Sequence, residues 1–493
     1  MLNRITVVAN IVLFVLPVLI GSCTSTTSKS WFRYTDNTGS YSSPRLADLN
    51  RDNIPDIVIG AGGQEEKYND TAVIALDGKT GNILWTLPGN NQNVGSAVFL
   101  DINSDKVPDV FIGGRWAQFM AINGASGKPI WTFYPNRSQP DGSDGGWYNF
   151  TTPQFIPDQD GDSLEDLIVA NGGDARAAAG DTKRPAGRLL VISSATGKIL
   201  ANVVVPDGRE TYMSVVCEKR KDDLVVYFGT GGETIGGKLY RILLKEIMSG
   251  TIKDAQVLVT DETKGFVASP VLADINRDGT NDVIVNAVSG KMLAIDGATD
   301  SLLWNIHWPG TEAYTIPAAG YFTSDSVVDF FANFAIGTFP ELKWSLRFMV
   351  NGKTGKIEYV DTIPAFQYAS AVAADLNNDG FDEVLVNRSA VKRKQFENYF
   401  YSYLQVFDFR NGQRWAIGDT LPATNLASTP WIGDLDGDNK YDIIYNAVKY
   451  ENAAFDLQRP IGLFTGRFAT NITIQSPIRW GAFMGTAYDG IFR

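Results

Sequence analysis

Ser43-Pro44-Arg45-Leu46-Ala47-Asp48-Leu49-Asn50-Arg51-Asp52-Asn53-Ile54-Pro55-Asp56-Ile57-Val58-Ile59-Gly60 reads as a short strand, an acidic loop and a second strand rich in Ile and Val that ends in glycine. The same pattern returns at Ser96 to Gly113, Thr152-Pro153 to Asn171, Ser269-Pro270 to Asn286, Ser370 to Asn387 and Thr429-Pro430 to Asn446. Degenerate copies lie at Met213 to Gly229 and at Ile316-Pro317 to Asn333. The first loop positions are Asp48, Asp101, Asp158, Cys217, Asp274, Tyr321, Asp375 and Asp434, separated by 53, 57, 59, 57, 47, 54 and 59 residues. Such even spacing marks one unit repeated eight times, and it overrides the prior of about three domains that length alone would set.

A second pattern follows the first in each unit. Val73-Ile74-Ala75-Leu76-Asp77-Gly78-Lys79-Thr80-Gly81-Asn82-Ile83-Leu84-Trp85 and Phe119 to Trp131 are examples, with further copies at Leu189 to Leu200, Met292 to Trp304, Phe348 to Tyr359 and Leu404 to Trp415. Each reads as strand, tight glycine-containing turn, strand. About four short strands per unit, repeated eight times, predict an all-β, eight-bladed β-propeller of four-stranded antiparallel blades. A linear solenoid would need distinct polar caps at both ends. Instead, Trp31-Phe32-Arg33-Tyr34 resembles the outer strand of a unit and Ile474-Gln475-Ser476-Pro477-Ile478 an inner one, so the two are expected to complete a shared blade. Residues 31–493 are read as a single propeller. Tyr134 to Asn149, Gly172 to Arg188, Val391 to Tyr403 and Tyr450 to Pro460 look like insertions, which on a rigid scaffold often carry binding residues.

The strongest chemistry is Asp-x-Asn/Asp-x-Asp-x-x-x-Asp/Glu. It occurs at Asp48, Asn50, Asp52, Asp56; at Asp101, Asn103, Asp105, Asp109; and at Asp158, Asp160, Asp162, Asp166. It recurs at Asp274, Asn276, Asp278, Asp282; at Asp375, Asn377, Asp379, Glu383; and at Asp434, Asp436, Asp438, Asp442. Oxygens at positions one, three and five of a tight loop can converge while position nine returns a carboxylate, which suits calcium's demand for six to eight hard oxygen ligands. One such loop is an ordinary polar turn, whereas six in phase predict several structural calcium ions. The unit at Cys217 lacks the ligands, and the one at Tyr321 keeps only Asp325 and Asp329. These loops resemble FG-GAP or integrin-α-type propeller repeats, a likeness that implies structural calcium and blade faces that bind partners. The Asp-Gly-Lys-Thr-Gly-Asn-Ile-Leu-Trp units, with Trp85, Trp131, Trp304 and Trp415, resemble quinoprotein-type repeats, in which tryptophans pack between blades.

Residues 1–22 combine Arg4, an apolar stretch from Ile5 to Ile20 and small residues before Cys23, which describes an export signal. Ile20-Gly21-Ser22-Cys23 resembles the lipobox of bacterial lipoproteins, which implies that Cys23 carries lipid and that residues 23–30 form a flexible tether. Thr24 resembles the pattern sorted to the outer membrane, with the side of that membrane left open. Without the signal, 42 basic face 55 acidic residues, a balance that argues against a nucleic-acid partner. With Cys23 lipidated, Cys217 has no partner for a disulfide and reads as a buried apolar residue.

Function is read first as a binding or scaffold lipoprotein with a protein partner in the cell envelope, in an outer-membrane assembly or a surface adhesion system. The alternative is a calcium-dependent polysaccharide binder or lyase, by resemblance to rhamnogalacturonan lyases. A quinone-dependent dehydrogenase is a minor alternative. No catalytic residue is assigned. The single histidine, His307, falls on a strand or its end, and Lys392, Arg393 and Lys394 read as a solvated cluster beside the aromatic insertion. Gly-x-Ser-x-Gly, His-Glu-x-x-His and phosphate-loop motifs are lacking, so a binder is favoured over an enzyme.

Overall fold

Period-two runs that bury every other side chain, interrupted by turns every few residues, dictate antiparallel hairpins, and each repeat unit folds into a four-stranded blade. The computed structural model describes residues 29–64, 67–116, 118–133, 148–174, 177–178, 180–221, 223–365, 367–394, 397–451 and 459–493. Cys23, the signal segment and the first six tether residues lie outside the described residues, as do positions 134–147 and 452–458 of two insertions. The remaining strands form eight antiparallel sheets. Blades 1 to 8 begin with the inner strands Arg45–Ala47, Val98–Leu100, Gln154–Ile156, Val216–Arg220, Val271–Ala273, Ala318–Gly320, Val372–Ala374 and Trp431–Gly433. Both degenerate repeats form complete blades.

Trp31–Asp36 supplies the outer strand of blade 8, antiparallel to Pro460–Thr473, with Trp31 opposite Arg467 and Asp36 opposite Gly462. That half of the expected closure holds, and Ile474–Ile478 behaves differently. Trp431–Gly433 already fills the inner position of blade 8, so residues 474–493 turn into the central channel. There Ala373 N–H donates to Trp480 O (2.9 Å), Ile432 N–H to Gly481 O (2.7 Å), Leu272 N–H to Gly490 O (2.9 Å) and Gln154 Nε2 to Tyr488 O (3.0 Å). Arg45, fully buried, stacks on the Tyr488 ring at 3.8 Å. Inner strands of blades 1, 3, 5, 7 and 8 thus share one apolar plug containing Trp480, Met484 and Phe492.

The Ser or Thr that stands before seven of the eight inner strands, with Ile316 in blade 6, has a role that spacing alone does not reveal. Ser43 N–H donates to Ser96 Oγ (3.2 Å), Ser96 N–H to Thr152 Oγ1 (3.0 Å) and Thr152 N–H to Ser214 Oγ (3.2 Å). Ser269 Oγ donates to Ser214 O (2.7 Å), Ile316 N–H to Ser370 Oγ (3.0 Å), and Thr429 N–H returns to Ser43 Oγ (3.0 Å). Buried polar groups cost free energy unless paired, so this belt fixes the blades relative to one another. Toward the rim, Trp85, Trp131 and Trp304 each donate Nε1–H to a turn carbonyl of the next blade, at Gly124, Ser194 and Gly352 (2.7 Å each). Trp85 also covers Gly127, whose φ of 68° and lack of Cβ leave room for the indole. The tryptophans pack between blades as the quinoprotein resemblance implies.

Candidate metal-binding rim

All six acidic loops join an inner strand to the second strand of its blade and therefore lie on one face of the ring. Their backbones coincide despite different side chains. Positions four and six are left-handed in every one: Arg51 and Asn53, Ser104 and Lys106, Gly161 and Ser163, Arg277 and Gly279, Asn378 and Gly380, Gly437 and Asn439. Two left-handed residues curl the loop so that side chains one, three and five turn inward. Position one is held by its own loop: Asp48 accepts from Arg51 and Asn53 N–H (2.7 and 3.0 Å), and Asp158 accepts from Gly161 and Ser163 N–H (2.7 and 2.8 Å). Asp101, Asp274, Asp375 and Asp434 accept from the N–H groups of positions five and six of their loops. Asn50, Asn103, Asn276 and Asn377 at position three, and Asp52, Asp105, Asp162, Asp278, Asp379 and Asp438 at position five, accept from the N–H two residues on.

Position nine differs from the rest because it is buried. Asp56, Asp109, Asp166 and Asp282 are fully covered, and Glu383 and Asp442 nearly so. In the four aspartates of blades 1, 2, 3 and 5 one oxygen caps the loop and the other reaches the turn between the third and outer strands. Asp56 accepts from Leu49 N–H (2.8 Å) and Gly78 N–H (3.0 Å), and Asp109 from Ile102 (3.0 Å) and Gly124 (3.1 Å). Asp166 joins Gln159 to Ser194, and Asp282 joins Ile275 to Gly297. Blade 6 keeps this staple, since Asp329 joins Thr323 to Gly352, even though positions one and three of its loop are Tyr321 and Thr323. Burial pushes Asp56 up to about 6 against its amide hydrogen bonds, and raises Asp109, Asp166 and Asp282 in the same sense. Position nine is therefore first a structural carboxylate that locks loop to turn.

The turn contributes residues that the loop pattern does not contain. Asn50 Nδ2 lies 3.1 Å from Asp77, Asn276 Nδ2 3.0 Å from Asp296, Asn377 Nδ2 3.3 Å from Asp408, and Asn123 reaches Asp105 at 3.0 Å. The first residue of each Asp-Gly-x-Thr-Gly-type turn thus forms the far wall of the loop. Three groups hold carboxylate oxygens within 4.8 Å of one another: Asp158, Asp160 and Asp166; Asp379, Glu383 and Asp408; Asp434, Asp436 and Asp442. In blade 7 burial, together with the charges of Asp408, Asp379 and Asp375, pushes Glu383 up to about 8. Like charges held this close favour a cation or a proton.

Blade 8 meets that demand from its own chain. Arg467 donates Nε to Asp442 (2.9 Å) and Nη2 to Asp436 (2.7 Å), and Lys29 lies 2.9 Å from Asp436 and 2.8 Å from Asp438. Burial would raise Asp436, but these two bases outweigh it and hold it low. Blade 4 has no loop at all: Arg220 turns directly to Asp223, and its guanidinium donates to Asn281 O (3.3 Å) and Gly297 O (3.0 Å) of blade 5. Cys217, on the same inner strand, has its thiol pushed up to about 12 by burial, in keeping with an apolar role. His307 is exposed on the outer strand of blade 5.

Residues 31–378 match the model of the FAM234A/B β-propeller. The chain belongs to that family. Protein FAM234B of Mus musculus is 23% identical over 377 residues, covering 69% of this chain and 55% of that protein. Its Homo sapiens counterpart is 22% identical over 386 residues, covering 71% and 57%. The chain thus spans about half the length of the curated relatives it matches. Among solved structures, the quinohemoprotein alcohol dehydrogenase from Comamonas testosteroni superposes with a TM-score of 0.56 at 10% identity, covering 91% of this chain and 77% of that one. At that identity the likeness is one of fold. Among the described residues, no helix is long and apolar enough to cross a membrane.

Proposed function

We propose that this FAM234-family chain is a calcium-stabilised binding propeller, tethered at the cell envelope through Cys23, with structural ions on its loop face and a protein partner on the other. The division between the two faces carries this reading. Acidic loops of identical backbone occupy one face, and on the other the second and third strands of blade 6, Asp329–Thr338 and Glu341–Val350, run on into a hairpin with Phe339 43% and Trp344 51% exposed. Exposed aromatic side chains on a rigid hairpin suit protein docking. The FG-GAP likeness of the loops supports calcium, and the lipobox-like sequence supports the anchor at the outer membrane. The test is co-purification of the full chain with its membrane neighbours, in calcium and in chelator. A stable protein complex lost with Trp344→Ala is expected, and a chain recovered alone would remove the scaffold reading.

A polysaccharide ligand is the second reading, supported by blade 7. The aromatic insertion there is the tip of a long hairpin, Glu383–Lys394 with Glu397–Asp408, rather than a loop. Tyr401 and Tyr403 stack at 6.4 Å with an interplanar angle of 16°, and Arg388 lies 5.9 Å from the Tyr403 ring. Calcium-dependent retention on acidic polysaccharide, lost with Tyr403→Ala, is its signature, and release of unsaturated products would extend it to a lyase. The quinone-dehydrogenase alternative rests on shared architecture, and oxidation of an alcohol after addition of the quinone is its test.

A further inference from the structure

The face opposite the acidic loops carries a second constellation that the repeats place at the channel mouth. Counting back from each inner strand, one position holds Tyr41 in blade 1, Tyr212 in blade 4, Tyr314 in blade 6 and Tyr368 in blade 7, all half-buried. Two residues before it stand Glu210 and Glu312, each 1% exposed. Tyr212 Oη donates to Glu210 (3.0 Å), Tyr314 Oη donates to Glu312, and the Tyr314 and Tyr368 rings meet edge to face at 4.6 Å. Arg184 lies 3.7 Å from Glu210, and Lys264 pairs with Glu312, so these two carboxylates are already balanced.

Glu233 has no basic partner among the described residues. It sits on the glycine-rich turn between the second and third strands of blade 4, which Gly231 N–H ties to Glu210 O and Gly265 N–H ties to Gly232 O (2.8 Å each). A Cβ on Gly232 would fall 3.1 Å from both Glu210 Oε1 and the Tyr212 ring, and one on Gly173 would collide with that ring, so glycines let turn and tyrosine meet. After burial, the charge of Glu233 contributes to the raised pKa of Tyr212, Tyr314 and Tyr368, and Tyr41 contributes to that of Tyr368. Lys264, beside Gly265, pairs with Glu312, so blade 5 links the Glu233 turn of blade 4 to the tyrosines of blades 6 and 7. Segment 474–493 fills the channel at the level of the inner strands, so the mouth is a cup with a floor.

Among the described residues, buried amide oxygens without a partner recur at the equivalent repeat positions. Gln92 and Asn425 hold the repeat position of Glu210 and Glu312 in blades 2 and 8, are 3% and 2% exposed, and leave Gln92 Oε1 and Asn425 Oδ1 without a partner. The buried Oδ1 atoms of Asn93, Asn286 and Asn333 are likewise unpaired. Each of these atoms is an acceptor. Electron-rich tyrosine faces, an unbalanced carboxylate and orphaned amide oxygens together favour a ligand that is cationic and rich in N–H donors.

We propose that this cup binds a primary ammonium group, as a free alkylamine or as a lysine side chain presented by a partner, with Glu233 as counter-ion and Tyr212, Tyr314 and Tyr368 as its aromatic wall. Titration calorimetry on the full chain in saturating calcium, added to fill the acidic loops of the other face, tests it with 1,5-diaminopentane and with a short lysine peptide. Saturable binding of at least one probe, weakened at least tenfold by Glu233→Gln and by raised salt, is expected. Tyr314→Leu should weaken it as well, and choline, whose quaternary nitrogen carries no N–H, should bind more weakly than the amine. A response to the peptide but not the diamine assigns the lysine source. Unchanged affinity in Glu233→Gln, or a neutral sugar outcompeting both amines, would overturn the proposal. Glu233 lies on a surface turn, and a matching thermal midpoint for its variant separates lost binding from lost fold.

Discussion

The loops of blades 3 and 8 share one motif and neutralise it in different ways. In blade 3, Asp158, Asp160 and Asp166 converge, and among the described residues no basic side chain pairs with them. In blade 8, Asp434, Asp436 and Asp442 converge equally, but Arg467, 2% exposed, and Lys29 are in contact with them. An acidic repeat therefore specifies a charge to be balanced, and the rest of the blade decides whether an ion or a side chain does it. Blade 8 is also where the two distant parts of the chain are joined. Carrying its own cation there would leave ring closure unaffected by loss of the calcium proposed for the other loops.

Arg467→Met gives the largest test of this contrast. Removing one partner of a buried pair typically costs about 3–5 kcal/mol. A loss of that size in urea unfolding, partly recovered with millimolar calcium, would turn blade 8 into a loop like that of blade 3, whereas unchanged stability would deny the guanidinium its role. Next comes the staple at position nine. Asp166→Ala strands Gln159 and Ser194 N–H, at about 1–3 kcal/mol for each donor left buried. Asp329→Ala in blade 6 should cost a similar amount and, with most ligands missing there, should do so regardless of calcium.

Calcium stoichiometry discriminates further. Asp160→Asn with Asp162→Asn should remove one bound ion and the associated stabilisation, about 2.7 kcal/mol at a hundredfold excess over Kd. Asp438→Asn in blade 8 should leave the count unchanged. The smallest effect is a pH dependence. Burial raises Asp329 from its ordinary 3.8 to about 6, so the folded state holds its proton more tightly than the unfolded chain. The resulting stabilisation is complete below about pH 4 and is lost as pH rises through about 6. Denaturation midpoints across that interval should fall more steeply in the parent than in Asp329→Asn.

The blade count, the strand pairing and the acidic loops were legible because each repeats within a window of about twenty residues, as in Ser43 to Gly60. The outer strand at Trp31 was legible because its alternation matches the other outer strands. Ile474–Ile478 misled for the same reason: local alternation resembles an inner strand, and only the occupancy of that place by Trp431–Gly433 excludes it. Arg467 left no signal, since its partners lie on another strand and pairing register is set by the whole blade. The Tyr and Glu cup was present as Glu210-x-Tyr212 and Glu312-x-Tyr314, but nothing local shows that residues of blades 4 and 6 face one another. The turn carboxylates Asp77, Asp296 and Asp408 could have been found, because their Asp-Gly or Asp-x-x-Asn-Gly turns repeat in phase with the loops.

The hydroxyl belt has a consequence for how the protein is made. Its link from Thr429 to Ser43 joins residues 386 apart, and Trp31–Asp36 meets Pro460–Thr473 across a similar separation. Contacts so distant along the chain form late, since loop closure must precede any reward from them. During synthesis, blades 1 to 7 must accumulate as an open crescent with two raw edges, and the last strand emerges to fasten both at once.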